Sequence, residues 1–281
     1  MKNFHVVNYH ITNRCNHHCT YCFGKFNEQK DPTLDDAKKI VVNIALYFTQ
    51  SNFIGGRINF AGGEPILYEH LDALIDYTNS LGIRVSIVTN GSLLTLDRIR
   101  SWQGKVSCIG ISIDSMDNTT NVKIGRCCHN KATDPSHWVC LAKTIHECKI
   151  DLKINTVVSR LNLDEDLSKL YQALDPTKIK LLQMHLIDGV NDQAKPYGIT
   201  EREFFSFCER HRAFDSVIAE PCGSMENSYL MINPHGEFQL NNNGTYQTFG
   251  DLNTTSFFEI LKEAPLDSEK FSSRYAKEGM P

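Results

Sequence analysis

A repeated alternation of short apolar runs with longer amphipathic segments constrains the fold of this chain most strongly. Six runs rich in β-branched residues are each followed by a stretch with helical periodicity. Such units form a parallel sheet wound by right-handed crossovers. Because six units fall short of the eight in a closed barrel, we predict an α/β fold, a partial (β/α)6 TIM-like barrel. The predicted strands are residues 5–12, 57–61, 84–89, 106–113, 152–158 and 179–187.

The alternation of predicted strands and helices ends after about residue 215. Residues 228–232 and 237–240 flank an Asn-Pro-His-Gly sequence, which is typical of a β-hairpin, and residues 256–262 have helical character. We therefore predict two domains. Residues 1–214 would form the partial barrel, and residues 215–281 a small C-terminal hairpin and helix extension that covers the active site.

Unusual residues follow four of the predicted strands directly. In barrel enzymes the C-terminal ends of the strands carry the catalytic groups, so we expect these residues to belong to one site. They are the cysteine loop at residues 15–22, Gly62-Gly63-Glu64-Pro65, Asn90-Gly91-Ser92, and Ser112 with Asp114-Ser115.

The cysteine loop contains Cys15, Cys19 and Cys22 in a Cys-x3-Cys-x2-Cys spacing. Cysteine thiolates hold iron–sulfur clusters, and most four-iron clusters have four of them. Three cysteines leave one iron with an open position, which a metal site keeps when it binds a reactant. The alternative is a structural zinc site with His17 or His18 as the fourth ligand.

Charge and cysteine usage limit the class of protein. The 281 residues carry a formal net charge of −4, which argues against a nucleic-acid-binding surface. Ten cysteines, three of them clustered behind an N-terminus without signal-peptide character, favour metal or redox chemistry in a cytoplasmic protein. We find no apolar run of membrane-spanning length, and we expect no membrane association.

The cysteine spacing, with Tyr21 before the third cysteine, and the Gly62-Gly63-Glu64-Pro65 run together resemble the signature of the radical SAM superfamily. Further segments resemble the viperin family and span about residues 8 to 232. They are residues 8–10, 58–61, 86–92, 121–126, 153–155 and 227–230. Animal viperins begin with an amphipathic membrane helix and end in tryptophan, whereas this chain ends in Glu278-Gly279-Met280-Pro281. The resemblance is therefore to short microbial viperins.

The resemblance implies a radical SAM nucleotide dehydratase. Viperins convert a nucleoside triphosphate to its 3′-deoxy-3′,4′-didehydro analogue, an antiviral terminator of RNA chains. CTP is the first expected substrate, with UTP and GTP as the other candidates. The implied cofactors are a [4Fe-4S] cluster and S-adenosyl-L-methionine (SAM), and the implied partner is an electron donor of the flavodoxin or ferredoxin type. We expect the protein to be a monomer.

The resemblance also implies a set of residues for the cofactors. The three cysteines would hold the cluster, the glycines would let the backbone approach SAM, Glu64 would accept a hydrogen bond from its ammonium group, and Arg126 would pair with its carboxylate. The alternatives are loop capping for Asn90 and Ser112 and a solvated loop position for Arg126. The predicted SAM-binding residues are Tyr21, Gly62, Gly63, Glu64, Asn90, Ser112 and Arg126.

The triphosphate requires cations. Charges on the strands of a parallel barrel are costly unless they face water or a ligand, which favours functional roles for Lys153 and Lys180. Tyr229, on the first hairpin strand, would donate to the ribose; its alternative is packing on the sheet. The loop that begins at residue 241 would form hydrogen bonds with the base. The alternative is that it is a polar turn without contact to the substrate. The predicted substrate-binding residues are Asn8, Arg57, Lys153, Asn155, Lys178, Lys180, Asn241 and Asn243.

Two other functions remain open from the sequence. One is a different radical SAM reaction, such as peptide maturation or synthesis of a molybdopterin precursor. Those families usually carry a second cluster in a cysteine-rich C-terminal region, whereas only Cys208 and Cys222 lie beyond residue 200 here. The other is a non-enzymatic metal-binding module, which the Gly-Gly-Glu-Pro run and the strand-end residues disfavour.

Overall fold

The structure, a computed structural model, describes residues 4–24, 30–53 and 55–275. The terminal residues 278–281, where the chain departs from animal viperins, lie outside these ranges. Ten strands form within the described part of the chain. They are β1 (Val6–Thr12), β2 (Arg57–Gly62), β3 (Arg84–Thr89), β4 (Cys108–Ser112), β5 (Asp151–Val158), β6 (Lys178–Gln183), β7 (Val217–Glu220), β8 (Met231–Ile232), β9 (Glu237–Asn242) and β10 (Thr245–Asp251).

Ten α-helices and two short 3-10 helices connect these strands in the described ranges. Every helix there is too short or too polar to cross a membrane. The 3-10 helices are Pro65–Leu67 and Asp192–Tyr197. The α-helices are α1 (Leu34–Gln50), α2 (Leu71–Ser80), α3 (Leu96–Ser101), α4 (Asn118–Ile124), α5 (Pro135–Glu147), α6 (Ser168–Leu174), α7 (Glu201–Arg210), α8 (Cys222–Met225), α9 (Phe257–Glu263) and α10 (Ser268–Tyr275).

Several helix starts follow from local sequence signals. The Thr33 hydroxyl accepts a hydrogen bond from the backbone N–H of Asp36 at 3.2 Å and caps α1, as the Thr-Leu-Asp-Asp sequence predicts. Thr200 and Glu203 form a complete capping box at the start of α7. Such caps satisfy backbone donors that the first helical turn leaves without partners.

The chain divides into two compact units. The first unit takes in the described residues of Met1–Arg14, Phe26–Ile87 and Ser224–Pro281, and the second those of Cys15–Lys25 and Val88–Gly223. The predicted domain division into residues 1–214 and 215–281 stays a prediction.

The first unit is built on a sheet with the strand order β10-β9-β8-β1-β2-β3. The pairs β1–β2, β2–β3 and β1–β8 are parallel, whereas β8–β9 and β9–β10 are antiparallel. Asn8 of β1 lies opposite Asn59 of β2, which lies opposite Ser86 of β3. This register places three polar side chains in one row, while the residues directly before and after each of them in the sequence are apolar and buried.

The second unit contains four parallel strands in the order β4-β5-β6-β7. In this register Ser112 lies opposite Asn155, which lies opposite Lys180, and Lys153 lies opposite Lys178. Five residues from three different strands of the sequence are therefore neighbours on adjacent strands. The sequence did not predict β7, because its four residues are too few to show a periodic pattern.

The C-terminal strands differ from the prediction. The strand predicted at residues 228–232 is only Met231–Ile232, so Tyr229 precedes it and does not lie on it. The strand predicted at 237–240 continues to Asn242, and the turn that follows consists of Asn243 and Gly244 alone. Both turn residues have positive φ angles, 52° and 72°, as a two-residue type I′ hairpin requires. Asn241 is therefore a strand residue, not part of a loop.

Candidate functional site

The cysteine loop belongs to the second unit, where backbone contacts hold it against the end of α4. The N–H of His18 donates to the carbonyl of Gly125 at 3.1 Å, and the N–H of Thr20 donates to that of Ile124 at 2.8 Å. Gly125 has a φ of +84°, and a Cβ there would lie 2.2 Å from the carbonyl oxygen of His18. A glycine is therefore required at this position for the loop to approach so closely.

The three thiols of the loop influence one another electrostatically. Burial raises the pKa of Cys19 to about 12; the Arg126 guanidinium opposes this rise, and Asp114, Cys22 and Cys15 add to it. Burial likewise raises the pKa of Cys22. A coordinating thiol loses its proton to the metal, so a bound cation would supply the charge that these buried sulfurs need to ionise.

The donor set fits a four-iron cluster. A [4Fe-4S] cluster spreads its thiolate ligands over separate irons, so its cysteines need not converge on a single metal ion. Among the described residues, no three histidine, cysteine or acidic side chains are grouped around one point. Three half-buried cysteines in one loop match that chemistry and leave one iron for a further ligand.

A buried hydrogen-bond network joins the loop to the ends of β4 and α4. The Tyr21 hydroxyl and the Arg126 Nε–H both donate to Asp114 Oδ2, and Arg126 Nη2–H donates to the Tyr21 hydroxyl at 2.8 Å. Asp114 is fully buried, and its Oδ1 accepts from the backbone N–H of Val157 at 2.8 Å. Burial raises the pKa of Tyr21 well above its usual range. The alternative of a solvated Arg126 is wrong, since this side chain is 11% exposed and paired with Asp114.

Asn90 connects the loop after β3 to the cysteine loop. Its Nδ2 donates to Asn16 Oδ1 at 2.8 Å and lies 3.9 Å from the Cys15 sulfur, while its Oδ1 accepts from the N–H of Ser92 at 2.9 Å. The hydrogen bond from the Ser92 N–H confirms that Asn90 caps its own loop, as the alternative interpretation predicted. Ser112 is the last residue of β4, half-buried and beside Asn155.

The predicted phosphate-binding lysines lie on β5 and β6. A Cβ on Gly110 of β4 would lie 2.7 Å from Lys153 Cε and 3.2 Å from Asn155 Nδ2, so these two side chains share the face that Gly110 leaves open. Lys180 is buried and forms an ion pair with Glu220 of β7 at 2.5 Å. Sequence reasoning missed Glu220, because its strand was not predicted.

In the first unit, the two glycines after β2 allow the chain to pack against the end of β1. Gly62 has a φ of +129°, and a Cβ there would lie 2.4 Å from the carbonyl oxygen of Thr12. A Cβ on Gly63 would lie 2.1 Å from the carbonyl oxygen of Arg14. Glu64 is fully buried, and its Oε1 accepts from the N–H of Ile66 at 3.1 Å. The glycines thus have a packing role in addition to the predicted approach to SAM.

Asn8 belongs to the polar row across β1, β2 and β3. Asn59 Nδ2 donates to Asn8 Oδ1 at 2.8 Å, and the Ser86 hydroxyl donates to Asn59 Oδ1 at 3.0 Å. Asn8 Nδ2 in turn donates to the carbonyl of Leu230 at 3.3 Å, next to Tyr229. Sequence reasoning missed Asn59, although two polar residues at equivalent points of successive strands were a usable signal.

Tyr229 is held by α10. The guanidinium carbon of Arg274 lies 3.7 Å from the Tyr229 ring centroid, a cation–π contact with a buried arginine. Arg274 also donates to the carbonyls of Ser228 at 2.7 Å and Ser224 at 2.8 Å. The guanidinium of Arg57 lies 6.0 Å from the ring of Tyr275, also on α10. This helix therefore contacts Tyr229, predicted to donate to the ribose, and Arg57, predicted to bind the triphosphate.

Comparisons with known proteins agree with these features. The Radical SAM superfamily profile matches residues 9–174. An S-adenosylmethionine-dependent nucleotide dehydratase from Selenomonas ruminantium is 33% identical over 278 residues, which cover 96% of this chain and 98% of that protein. One of the same name from Psychrobacter lutiphocae is 35% identical, covering 97% and 95%.

A solved structure shares the fold. It is SuiB from Streptococcus suis bound to the precursor peptide SuiA, with a TM-score of 0.71 at 16% identity over 97% of this chain and 67% of that chain. At this identity the likeness concerns the fold alone. The predicted fold class, α/β with a partial barrel, is confirmed by this likeness and by the superfamily profile.

Two glycines provide a matched test of the close packing after β2. Gly63→Ala should lower the free energy of unfolding by about 1–3 kcal/mol. The new Cβ would clash with the backbone carbonyl of Arg14, which cannot rotate away as a flexible side chain could. Gly223→Ala is the control: its Cβ would meet nothing within 4 Å, so stability should stay equal or rise. Thermal unfolding at one scan rate checks both, and equal midpoints for the two variants would contradict the packing role.

Proposed function

Since the chain belongs to the S-adenosylmethionine-dependent nucleotide dehydratases of the radical SAM superfamily, we propose that it removes water from a nucleoside triphosphate to give the 3′-deoxy-3′,4′-didehydro analogue. The resemblance to viperins is confirmed at this level. CTP is the first candidate substrate, and UTP and GTP are the alternatives. The product would terminate viral RNA chains, as the viperin resemblance implies.

The placement of lysines on β5 and β6 is the observation that most strongly supports a triphosphate substrate. Lys153 and Lys178 are directly opposite each other on neighbouring parallel strands, where like charges repel. Asn155 and Lys180 form the next pair on the same face. A polyphosphate offsets such repulsion, and lysine ammonium groups bind phosphate oxygens. We assign Lys153, Lys178 and Lys180 to the triphosphate; the same role for Arg57 rests on the viperin resemblance alone.

The cofactors are a [4Fe-4S] cluster and SAM, as in the superfamily. When bound, they supply the one-electron chemistry that removes a hydrogen atom from the substrate ribose. Cys15, Cys19 and Cys22 would hold the cluster through their thiolates. The residues assigned to SAM are Tyr21, Gly62, Gly63, Glu64, Asn90, Ser112 and Arg126.

The remaining assignments concern the ribose and the base. Removal of the C4′ hydrogen and loss of the 3′-hydroxyl as water leave one electron and one proton to be supplied. Tyr229 would provide the hydrogen, and its contact with Arg274 supports this role by fixing the ring. Asn8 and Asn155 would orient the ribose or the phosphates. Asn241 and Asn243 would contact the base through amide groups.

The reaction needs an electron donor, for which a flavodoxin or ferredoxin is the expected class. We propose a cytoplasmic monomer. A peptide-modifying activity has less support, because Cys208 of α7 and Cys222 of α8 are the only cysteines beyond residue 200.

The dehydratase activity is tested by anaerobic incubation of the reconstituted protein with SAM, a chemical reductant and each of the four common ribonucleoside triphosphates. We expect mass spectrometry to find loss of one water from a single preferred triphosphate, with 5′-deoxyadenosine formed alongside it. Cys19→Ala should form neither product. Cleavage of SAM by the wild type without dehydration of any triphosphate would reject the proposed substrate class.

The lysine assignment has its own test. Lys153→Gln should weaken binding of the accepted triphosphate about ten- to hundredfold, the usual effect of losing a charge-assisted hydrogen bond. Lys169→Gln, on the exposed surface of α6, is the matched control and should bind as the wild type does. Equilibrium binding to cluster-loaded, unreduced enzyme measures both. Unchanged affinity in Lys153→Gln would remove Lys153 from the phosphate site.

A further inference from the structure

We propose that Asp114 is a positioning residue for SAM, acting through the Arg126 guanidinium and the Tyr21 ring that it holds beside the cysteine loop. This inference rests on the proposed role of Arg126 in binding the SAM carboxylate. Asp114 lies two residues beyond the end of β4 and is fully buried. Asp114, Arg126, Tyr21 and the residues that contact them belong to the second unit.

The two carboxylate oxygens of Asp114 are used on different partners. Oδ1 accepts from the backbone N–H of Val157, which ties the carboxylate to β5. Oδ2 accepts from both the Tyr21 hydroxyl and Arg126 Nε–H. The Asp114 carbonyl also accepts from Asn162 Nδ2 at 2.8 Å. Because its backbone and Oδ1 are fixed, Asp114 presents Oδ2 at a defined point.

This arrangement leaves Arg126 ready to bind a second anion. A guanidinium has five N–H donors. Nε–H goes to Asp114, and one Nη2–H goes to the Tyr21 hydroxyl. Three donors remain, enough for a bidentate contact with the carboxylate of an amino acid. Asp114 thus fixes one edge of the guanidinium and leaves the other for a ligand.

Asp114 also acts on the cysteine loop through Tyr21, the residue before Cys22. The Tyr21 carbonyl accepts from Asn191 Nδ2 at 2.8 Å, and the ring packs with Ile124, Met184 and Ala194. The hydroxyl end of this ring is held by Asp114 and Arg126. Both ends of Tyr21 are therefore anchored, so the ring cannot change rotamer without breaking a buried hydrogen bond.

The charge of Asp114 matters as much as its shape. A buried guanidinium is costly unless it is paired, and removal of one partner leaves an uncompensated charge. An asparagine at position 114 has one acceptor oxygen for Val157, Tyr21 and Arg126 together, and its amide group would point N–H donors at a cation. Asp114→Asn should therefore release Arg126 from the orientation described above.

The test is SAM binding to the cluster-loaded, unreduced enzyme, which does not cleave SAM, measured by titration calorimetry. We expect Asp114→Asn to weaken SAM binding about ten- to hundredfold with iron content and triphosphate affinity unchanged. In turnover assays, the KM for SAM should rise more than kcat falls. Glu165→Gln, whose half-buried carboxylate accepts from Ser115 at 2.7 Å, is the matched control and should bind SAM normally.

A double-mutant cycle separates positioning from a merely structural effect. If Asp114 acts through Arg126, Asp114→Asn should have little further effect on SAM affinity in an Arg126→Gln background. Additive losses, or a lower unfolding temperature with unchanged SAM affinity, would overturn the proposal. If Asp114→Asn does not fold, Tyr21→Phe replaces it, with an expected loss of about fivefold; wild-type affinity there would also overturn it.

The outcomes distinguish this inference from the proposed function. Normal SAM affinity in Arg126→Gln would reject the assigned role of Arg126 and, with it, the positioning role of Asp114. Weak binding in Arg126→Gln beside normal binding in Asp114→Asn would reject the inference alone. The dehydratase activity would stand in both cases, because it is measured on the wild type.

Discussion

The buried carboxylate of Asp114 is the interaction that links the cysteine loop to the strands of the second unit. It joins residues that are far apart in the sequence: Tyr21 in the loop, Arg126 after α4 and Val157 on β5. Removing any one partner would leave a charged or polar group buried without compensation, which is costly. The loop that carries the three cysteines is thus attached to the strands by a polar network as well as by its backbone contacts with α4.

Close backbone approach is the second constraint, and glycine meets it at three points. Gly125 lets the cysteine loop lie against the end of α4, and Gly62 and Gly63 let the end of β2 lie against the end of β1. In each case a Cβ would lie within 2.4 Å of a carbonyl oxygen, so no other residue fits without movement of the backbone. The Gly62-Gly63 pair, which the sequence associates with the approach of SAM, is thus also needed for the packing of β2 against β1.

The sequence predicted the elements whose signal is local. Strands with β-branched runs, the Thr33 cap and the residues at the ends of strands all appear in the structure. It failed where the signal is tertiary. Asp114 and Arg126 lie 12 positions apart with α4 between them, and nothing in that spacing indicates an ion pair.

Two further misses have similar physical causes. Glu220 belongs to a four-residue strand that is recognisable only by its pairing with β6, so its contact with Lys180 was not predicted. Asn241 and Asn242 have low strand propensity, yet pairing of β9 with β10 extends the strand through them. Local propensity yields to strand pairing at these positions, which is why the asparagine segment was predicted as a loop.

We propose that the hydrogen atom removed from the nucleoside triphosphate is the one at ribose C4′. This step is measured by incubating the protein with the accepted triphosphate deuterated at C4′ and analysing the 5′-deoxyadenosine by mass spectrometry. We expect one deuterium in 5′-deoxyadenosine. Unlabelled 5′-deoxyadenosine from this substrate, with deuterium transferred instead from a substrate labelled at another carbon, would contradict removal at C4′.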